Sequence, residues 1–276
     1  MPASSPLFSI VTVVFNAEQH IAETVQSVFD QTFDDYEYIV IDGASTDQTM
    51  AILEQYQAQI DTLLSEPDRG IYDAMNKAIG LAKGKYVNFM NAGDRFYSTE
   101  TLAKVAEHWK REGGFDLIDI MYGKVVKISS EASSFQYEKG KHVSANSFFL
   151  SIPMCHQAMF IKTDLFEQVG RYSLDYQAGS FYGWLGAYYS YRQSLDRLSF
   201  IDRRIAYYLD GGYSFQMKKV IDRERLSVAK QYFSRKYQWL NYLIFAKEWV
   251  KANGLILLDK LQLLDWYRKL KYKPIK

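Results

Sequence analysis

FSIVTVVF, residues 8–15, is a run of eight residues without a charge, rich in β-branched and aromatic side chains. It reads as a strand buried on both faces, the kind that parallel sheets use. The chain on either side of it sets the fold. Residues 17–31 put Ile21, Val25, Val28 and Phe29 on one helical face. YEYIVIDG, 36–43, is a second buried strand, and Ser45 or Thr46 stands where it would cap a helix to about Ile60. DTLLS, 61–65, is a third strand, and Gly70 precedes a helix to about Lys83. YVNFM, within GKYVNFMNAGDRF (84–96), is a fourth. Strand and helix thus alternate four times in the first hundred residues, the pattern of a doubly wound α/β sheet.

Ligands of such sheets bind outside the carboxyl ends of the strands. Those ends are Phe15-Asn16, Asp42, Glu66 and Asn91 to Asp94, expected along one rim with three carboxylates. Asn91-Ala92-Gly93-Asp94 taken alone is a strand-ending turn. On a carboxylate-rich rim Asp94 also suits a hard divalent cation, Mg²⁺ or Mn²⁺, with Gly93 allowing close approach to the backbone. Further along, a helix to about Lys110 and strands at 119–128, 157–161 and 198–209 are expected. Residues 129–142 read as a polar loop or hairpin, and the chain turns helical from about Gln216.

The 276 residues are nearly half hydrophobic, with few Pro and Gly, which fits a globular chain with a sizeable core. The formal net charge of +1 suggests no nucleic-acid partner. It is unevenly spread. Residues 211–276 carry 15 Lys and Arg against 5 Asp and Glu, a net +10, and the 210 residues before them a net −9. The single cysteine, Cys155, permits no disulfide framework within the chain, and a reducing compartment is the simplest setting. MPASSPLFSIVTVVF lacks the basic start and long apolar stretch of a signal peptide, and no apolar run approaches a membrane span. A soluble or peripherally attached protein is expected.

Neither GxGxxG after the first strand nor GxxxxGK[ST] occurs, which argues against a nicotinamide dehydrogenase and a P-loop kinase. The histidines, His20, His108, His142 and His156, are too scattered for a zinc site, and no nucleophile-elbow serine motif is present. A nucleotidyltransferase would carry a Gly-rich, basic N-terminal loop that is not found.

SIVTVVFNAEQHIAETVQSVFDQTF, YEYIVIDGASTDQT and SEPDRGIYDAMNKAIGLAKGKYVNFMNAGD together resemble the N-terminal half of the family 2 glycosyltransferases, whose fold is GT-A. PMCHQAMFIKTDLFEQVGRY (153–172) and YYLDGGYS (207–214) carry a weaker echo. Bacterial enzymes that build cell-surface polysaccharides are the nearest resemblance. It implies a GT-A Rossmann-like mixed sheet flanked by helices over residues 1–215, with a nucleotide-sugar-binding half (1–98) and an acceptor half (99–215). Residues 216–276 are then a helical C-terminal extension. It further implies an inverting, hexosyl-type transferase with a nucleotide-sugar donor, UDP more often than GDP or dTDP, and Mn²⁺ or Mg²⁺. The acceptor would be a glycan or a lipid-linked precursor at the cytoplasmic face of a membrane.

Residue by residue, the resemblance puts Thr12, Phe15 and Asn16 at the nucleotide base and Asp42 in contact with it. Ser45, Thr46 and Asp47 follow at the next helix start. Asp68, Arg69, Tyr72 and Asn76 lie beside the donor. Asn91 to Asp94 fill the place of the DxD-type metal motif, so that Asp94 alone supplies a carboxylate. The leaving group is a nucleoside diphosphate, and one-step inversion needs a general base near the acceptor hydroxyl. If Tyr182 matches the tyrosine of the relatives' base motif, Phe181 and Gly183 occupy its acidic positions. Asp175 and His156 are the candidates to replace them. The alternative is an impaired protein that binds sugar nucleotides or serves in assembly. Arg69 suits donor phosphates, or is a solvated helix-start residue.

The tail, 216–276, interleaves Lys and Arg with Tyr232, Phe233, Tyr237, Trp239, Leu240, Tyr242, Leu243, Phe245 and Trp249. Aromatic-basic helices of this kind lie on anionic membranes. The other reading is a helical pair packed on the catalytic domain or on another subunit.

Overall fold

The computed structural model describes residues 5–128, 137–139, 142–150, 154–209 and 217–260. Four parallel strands form the first half: β1 (Phe8–Val14), β2 (Tyr36–Asp42), β3 (Thr62–Ser65) and β4 (Tyr86–Phe89). β1 lies between β2 and β4, and β2 pairs with β3. All seven residues of β1 are buried, as its uncharged sequence requires. The helices between them are α1 (Ile21–Phe29), α2 (Thr49–Glu54) and α3 (Ile71–Leu81).

In the second half the strands run both ways. β5 (Arg95–Phe96) follows the Asp94 turn, and α4 (Thr101–Arg111) leads to β6 (Ile120–Ile128). β7 (Tyr137–Lys139), α5 (Ala145–Leu150), β8 (Met159–Lys162), α6 (Leu165–Gln168), α7 (Ser180–Arg192) and β9 (Leu198–Leu209) complete the body. The nine described strands form one mixed sheet in the order β3-β2-β1-β4-β8-β6-β9-β5, with β7 on β6. β8 runs antiparallel to both β4 and β6. One face of the sheet packs on α3, α7 and the helix after β9; the other packs on α1 and α4.

The expected strands and helices stand, with three shifts. The helix expected over 17–31 is confined to Ile21–Phe29. The helix expected from Ser45 to about Ile60 is confined to Thr49–Glu54: Ser45 and Thr46 bond across to the β1 loop instead of capping it, and a 3-10 turn, Gln57–Gln59, follows its end. The strand expected at 157–161 begins at Met159, after a 3-10 turn at His156–Ala158. The residues expected as a polar loop or hairpin, 129–142, lie mostly outside the described residues; within them Tyr137–Lys139 pairs antiparallel with β6, as in a hairpin.

α8 (Lys218–Tyr232) and α9 (Arg235–Lys260) form the C-terminal pair. α8 packs on α7 and adds Val228 and Ala229 to the core, with Phe233 just beyond its end. Gly183 and Gly186 of α7 face that contact. A Cβ on Gly186 would stand 2.9 Å from Tyr232 Cδ2, and one on Gly183 would stand 3.2 Å from Tyr176 Cε2. Gly186→Ala is therefore expected to lower stability by about 1–3 kcal/mol through overpacking, read from denaturant unfolding. Among the described residues no helix is long and apolar enough to cross a membrane.

Candidate active site

The C-terminal ends of β1, β2, β3 and β4 lie along one rim, since the four strands are parallel neighbours. Their carboxylates have different fates there. Glu66 turns out to Lys77 at 2.8 Å. Asp42, at the end of β2, is fully buried. Its Oδ2 accepts from Ser65 Oγ at 2.6 Å and from Ser45 N at 3.0 Å, while its Oδ1 is buried without a partner.

The β1 and β2 end loops are laced together around it. Asn16 and Ala44 take left-handed conformations, φ 47° and 60°. Asn16 N donates to Ser45 Oγ at 2.8 Å, and Thr46 N donates to Asn16 Oδ1 at 2.8 Å. Asp47 accepts from Glu18 N at 3.1 Å and from Thr49 N at 3.0 Å. Desolvation raises the Asp47 carboxyl, but the Thr49 hydroxyl and these backbone bonds together outweigh it and hold the group below the usual carboxylate range. Phe15 projects from this loop, 62 % exposed. A Cβ on Gly43 would meet Asp68 Oδ2 at 2.5 Å and Phe15 Cδ2 at 3.5 Å, so the bare glycine lets Asp68 and Phe15 converge.

Asp94 closes a turn at the end of β4. Its N–H donates to Asn91 O at 2.9 Å, with Gly93 at φ +97°. That backbone, with Leu209 3.4 Å from where a Cβ would stand, is why position 93 is glycine. The expected role of admitting a ligand to the backbone is not needed to explain it. Thr24 of α1 fixes the turn from outside: its hydroxyl donates to Asp94 O at 2.8 Å and accepts from Gly93 N at 3.0 Å. The Asp94 side chain is buried, accepting from Gln157 Nε2 at 3.0 Å and Leu209 N at 3.3 Å. Burial without a cation pushes its carboxyl up to about 7, although both hydrogen bonds pull it down.

Beside it, Asn91 Nδ2 lies 3.1 Å from His156 Nε2, and Asn91 Oδ1 is buried without a partner. His156 sits edge-on to Phe181, ring centroids 5.8 Å apart, and burial lowers its imidazolium to about 4. Asn91 and Asp94 offer a hard cation one carboxylate and one free carbonyl oxygen. No cluster of three or more His, Cys, Asp or Glu side chains able to hold a metal occurs among the described residues. This donor set fits a cation that draws its remaining oxygens from a diphosphate.

Other expected site residues have structural duties. Thr12 does not reach the rim: it is fully buried mid-strand, its hydroxyl donating to Met90 O at 2.7 Å and bonded to Tyr38 Oη at 2.9 Å. Asn76 clamps Tyr172, donating to its carbonyl at 2.8 Å and accepting its N–H at 3.0 Å. Tyr72 Oη donates to Ala178 O at 2.7 Å. Arg69 is exposed and paired with Asp73 at 2.9 Å. Asp175 lies in an exposed turn, with its own N–H on Ser173 Oγ at 3.2 Å.

Gln157, which with Cys155 matches the acceptor-side motif of the resembled family, instead bonds Asp94, a contact the sequence did not announce, and is held by Asn88 of β4, which donates to Gln157 O at 3.1 Å and Met159 O at 2.8 Å. Thr24 gave no signal beyond its place on the buried face of α1.

The profile of "Glycosyl transferase family 2" matches residues 9–170. A PGL/p-HBAD biosynthesis glycosyltransferase of Mycobacterium bovis is 31 % identical over 177 residues, covering 63 % of this chain and 66 % of that protein, just under two thirds of its length. A putative teichuronic acid biosynthesis glycosyltransferase, TuaG of Bacillus subtilis, is 39 % identical over 94 residues, 33 % of this chain and 37 % of its own. Among solved structures, S. aureus TarS 1-349 with UDP-GlcNAc superposes with a TM-score of 0.61 at 18 % identity, covering 87 % of this chain and 70 % of that one. Mannosyltransferase PcManGT from Pyrobaculum calidifontis, with GDP-Man and Mn²⁺, gives 0.66 at 18 % identity, covering 99 % and 83 %. The two solved structures share the GT-A fold with this chain. The family profile spans more than half of the sequence, and the chain belongs to glycosyl transferase family 2.

Proposed function

We propose that the protein transfers a hexosyl group, with inversion, from a nucleotide-sugar donor to a hydroxyl of a surface glycan or its lipid-linked precursor. The observation that carries this reading is the pair of orphaned acceptors, Asp42 Oδ1 and Asn91 Oδ1, at the ends of β2 and β4 on either side of β1. A buried acceptor left without a donor costs about 1–3 kcal/mol, which a bound ligand would recover. Uracil, guanine and thymine each carry a ring N–H able to satisfy Asp42 Oδ1; adenine and cytosine lack one and could reach it only through the exocyclic amino group. Phe15 offers the base an open aromatic face. The names of the relatives, biosynthesis of PGL/p-HBAD and of teichuronic acid, support a surface-glycan acceptor.

Asp94 and Asn91 Oδ1 would hold Mg²⁺ or Mn²⁺, which when bound neutralises charge on the departing diphosphate. Gln157 and the Leu209 N–H keep Asp94 oriented for it. Of the two base candidates, His156 has its Nε2 against Asn91 and a weakly basic ring. Asp175 presents a solvent-open carboxylate, and we assign it the acceptor proton.

A second reading, a sugar-nucleotide-binding protein without transfer, draws on position 183, where Tyr176 and Val228 fill the space beside the glycine. Release of nucleoside diphosphate from labelled donor, with a lipid extract as acceptor, separates the two readings.

The donor site is tested by titration calorimetry of UDP, GDP, dTDP and ADP, with and without Mn²⁺. One of the first three is expected to bind, ADP is not, and Asp42→Ala is expected to weaken binding at least about tenfold. Equal binding of all four, or of none, overturns the base-site assignment.

A further inference from the structure

α9 has apolar residues on two opposite sides, and the body covers only one. Asn241 is buried, and Tyr237 and Phe245 are half-buried on the same side of the helix. Tyr237 packs on Phe149, centroids 4.2 Å apart, and Asn241 Nδ2 donates to Phe149 O at 2.9 Å. On the far side stand Trp239, Tyr242, Leu243, Trp249 and Val250, between 47 and 71 % exposed. Their spacing, i, i+3, i+4, i+10 and i+11, gathers them, at 100° per residue, into one stripe about 120° wide. A soluble surface helix carries polar residues there. Lys236 and Lys247, both exposed, fall together along one edge of the stripe, and Arg235 lies at its N-terminal end. Glu248, the one acidic residue between 235 and 250, falls on the opposite side.

We infer that this outward face of α9 docks on an anionic lipid surface, lying in the interface without crossing it. Charge chooses among occupants. A second copy packed about a two-fold axis would meet the lysine edge with its own lysine edge if antiparallel, or with the uncharged opposite edge if parallel, and would offer it no carboxylate either way. An anionic bilayer takes up the apolar stripe and complements its cationic border. Tryptophan suits the level of the headgroups. The net +10 of residues 211–276 acts in the same sense. This docking is independent of the donor reading, since no residue of the stripe lies on the sheet rim.

The test uses the full chain in sedimentation with vesicles of phosphatidylcholine, alone or with one quarter phosphatidylglycerol. Binding is expected only to the anionic vesicles and should weaken as salt rises. Trp239→Ser with Trp249→Ser, and separately Lys236→Glu with Lys247→Glu, are each expected to lower the vesicle partition coefficient by about tenfold or more. Nucleotide titration of the same variants should match wild type, which separates failure here from failure of the donor site. Absence of binding to anionic vesicles, or unchanged binding by the tryptophan pair, overturns the proposal. So does light scattering that shows a dimer which the tryptophan substitutions dissociate, since a second copy would then own this face.

Discussion

Asp94→Asn is expected to raise the stability of the unliganded protein near pH 8 while abolishing metal-dependent nucleotide binding. The carboxyl is raised from 3.8 to about 7 in the folded protein, chiefly by burial. A raised acid favours the protonated form in the fold, so ionising it costs stability. Below about pH 4 the group is neutral whether the chain is folded or not, and the cost is nil. Between pH 4 and 7 the unfolded chain ionises first and the cost grows. Above about pH 7 it is complete, on the order of 4 kcal/mol at 1.36 kcal/mol per pH unit. Asparagine removes that charge at nearly constant volume, and Gln157, by turning its amide, can still bond to it. A gain of about 2–4 kcal/mol is expected at pH 8, shrinking toward zero as pH falls to 4. Melts of both proteins at pH 5 and pH 8, with and without Mn²⁺ and nucleotide, check this. Wild type should be stabilised by the pair of ligands and the variant should not. A variant less stable than wild type at pH 8 would show that the carboxylate is well solvated, against the burial seen here.

That Asp94 faces inward was not readable from NAGD, although its place at a strand end was. β1 announced itself as an uncharged, β-branched run because both its faces are buried, and β2 and β4 as largely apolar runs for the same reason. Their parallel order follows from the helices between them. What escaped was set by side chains far away in sequence. Gln157 reaches Asp94 across 63 residues and Thr24 reaches its carbonyl across 70. No local pattern encodes either bond. Thr12 is placed at the base by the resemblance alone, and no local pattern announces that Met90 O and Tyr38 Oη engage its hydroxyl. Ser45 and Thr46 looked like caps because capping is local, and the loop they bond to is some 30 residues back. If Tyr182 matches the tyrosine of the relatives' base motif, the neighbours at its acidic positions are visible only in three dimensions: Phe181 meets His156, and Gly183 faces Tyr176 and Val228 of α8.

Glu224→Ala is expected to loosen the acceptor side of the site while leaving nucleotide affinity within about twofold of wild type. Glu224, on α8, receives three consecutive backbone donors from the start of α7: Gln177 N at 2.8 Å, Ala178 N at 3.0 Å and Gly179 N at 2.5 Å. Gly179, the N-cap, carries one of the donors that a helix N-terminus leaves without an intrahelical partner, Gln177 and Ala178 lie in the turn just before it, and α7 has no side-chain cap of its own. A carboxylate there also meets the positive end of the helix. A hydrogen bond to a charged group contributes about 1.5–3 kcal/mol, and three sharing one carboxylate add less than their sum. A loss of about 3 kcal/mol is therefore expected in denaturant unfolding. Glu224→Gln should lose about half of it, because its amide oxygen can still accept from Ala178 and Gly179 while its NH2 group faces the Gln177 N–H and the charge is gone. Global destabilisation alone would speed hydrogen exchange only through whole-molecule unfolding. Release of a clamp should deprotect the amides of Ala178 and Gly179 far below the unfolding free energy, while β1 and β2 stay protected. The same segment is held from the donor side by Tyr72, whose hydroxyl grips Ala178 O, and it follows directly on Asp175. If Asp175 takes the acceptor proton, transfer should fall in the Glu224 variants with nucleotide binding intact. Unchanged exchange at 178 and 179 would mean that Tyr72 alone fixes the loop and that α8 merely covers it.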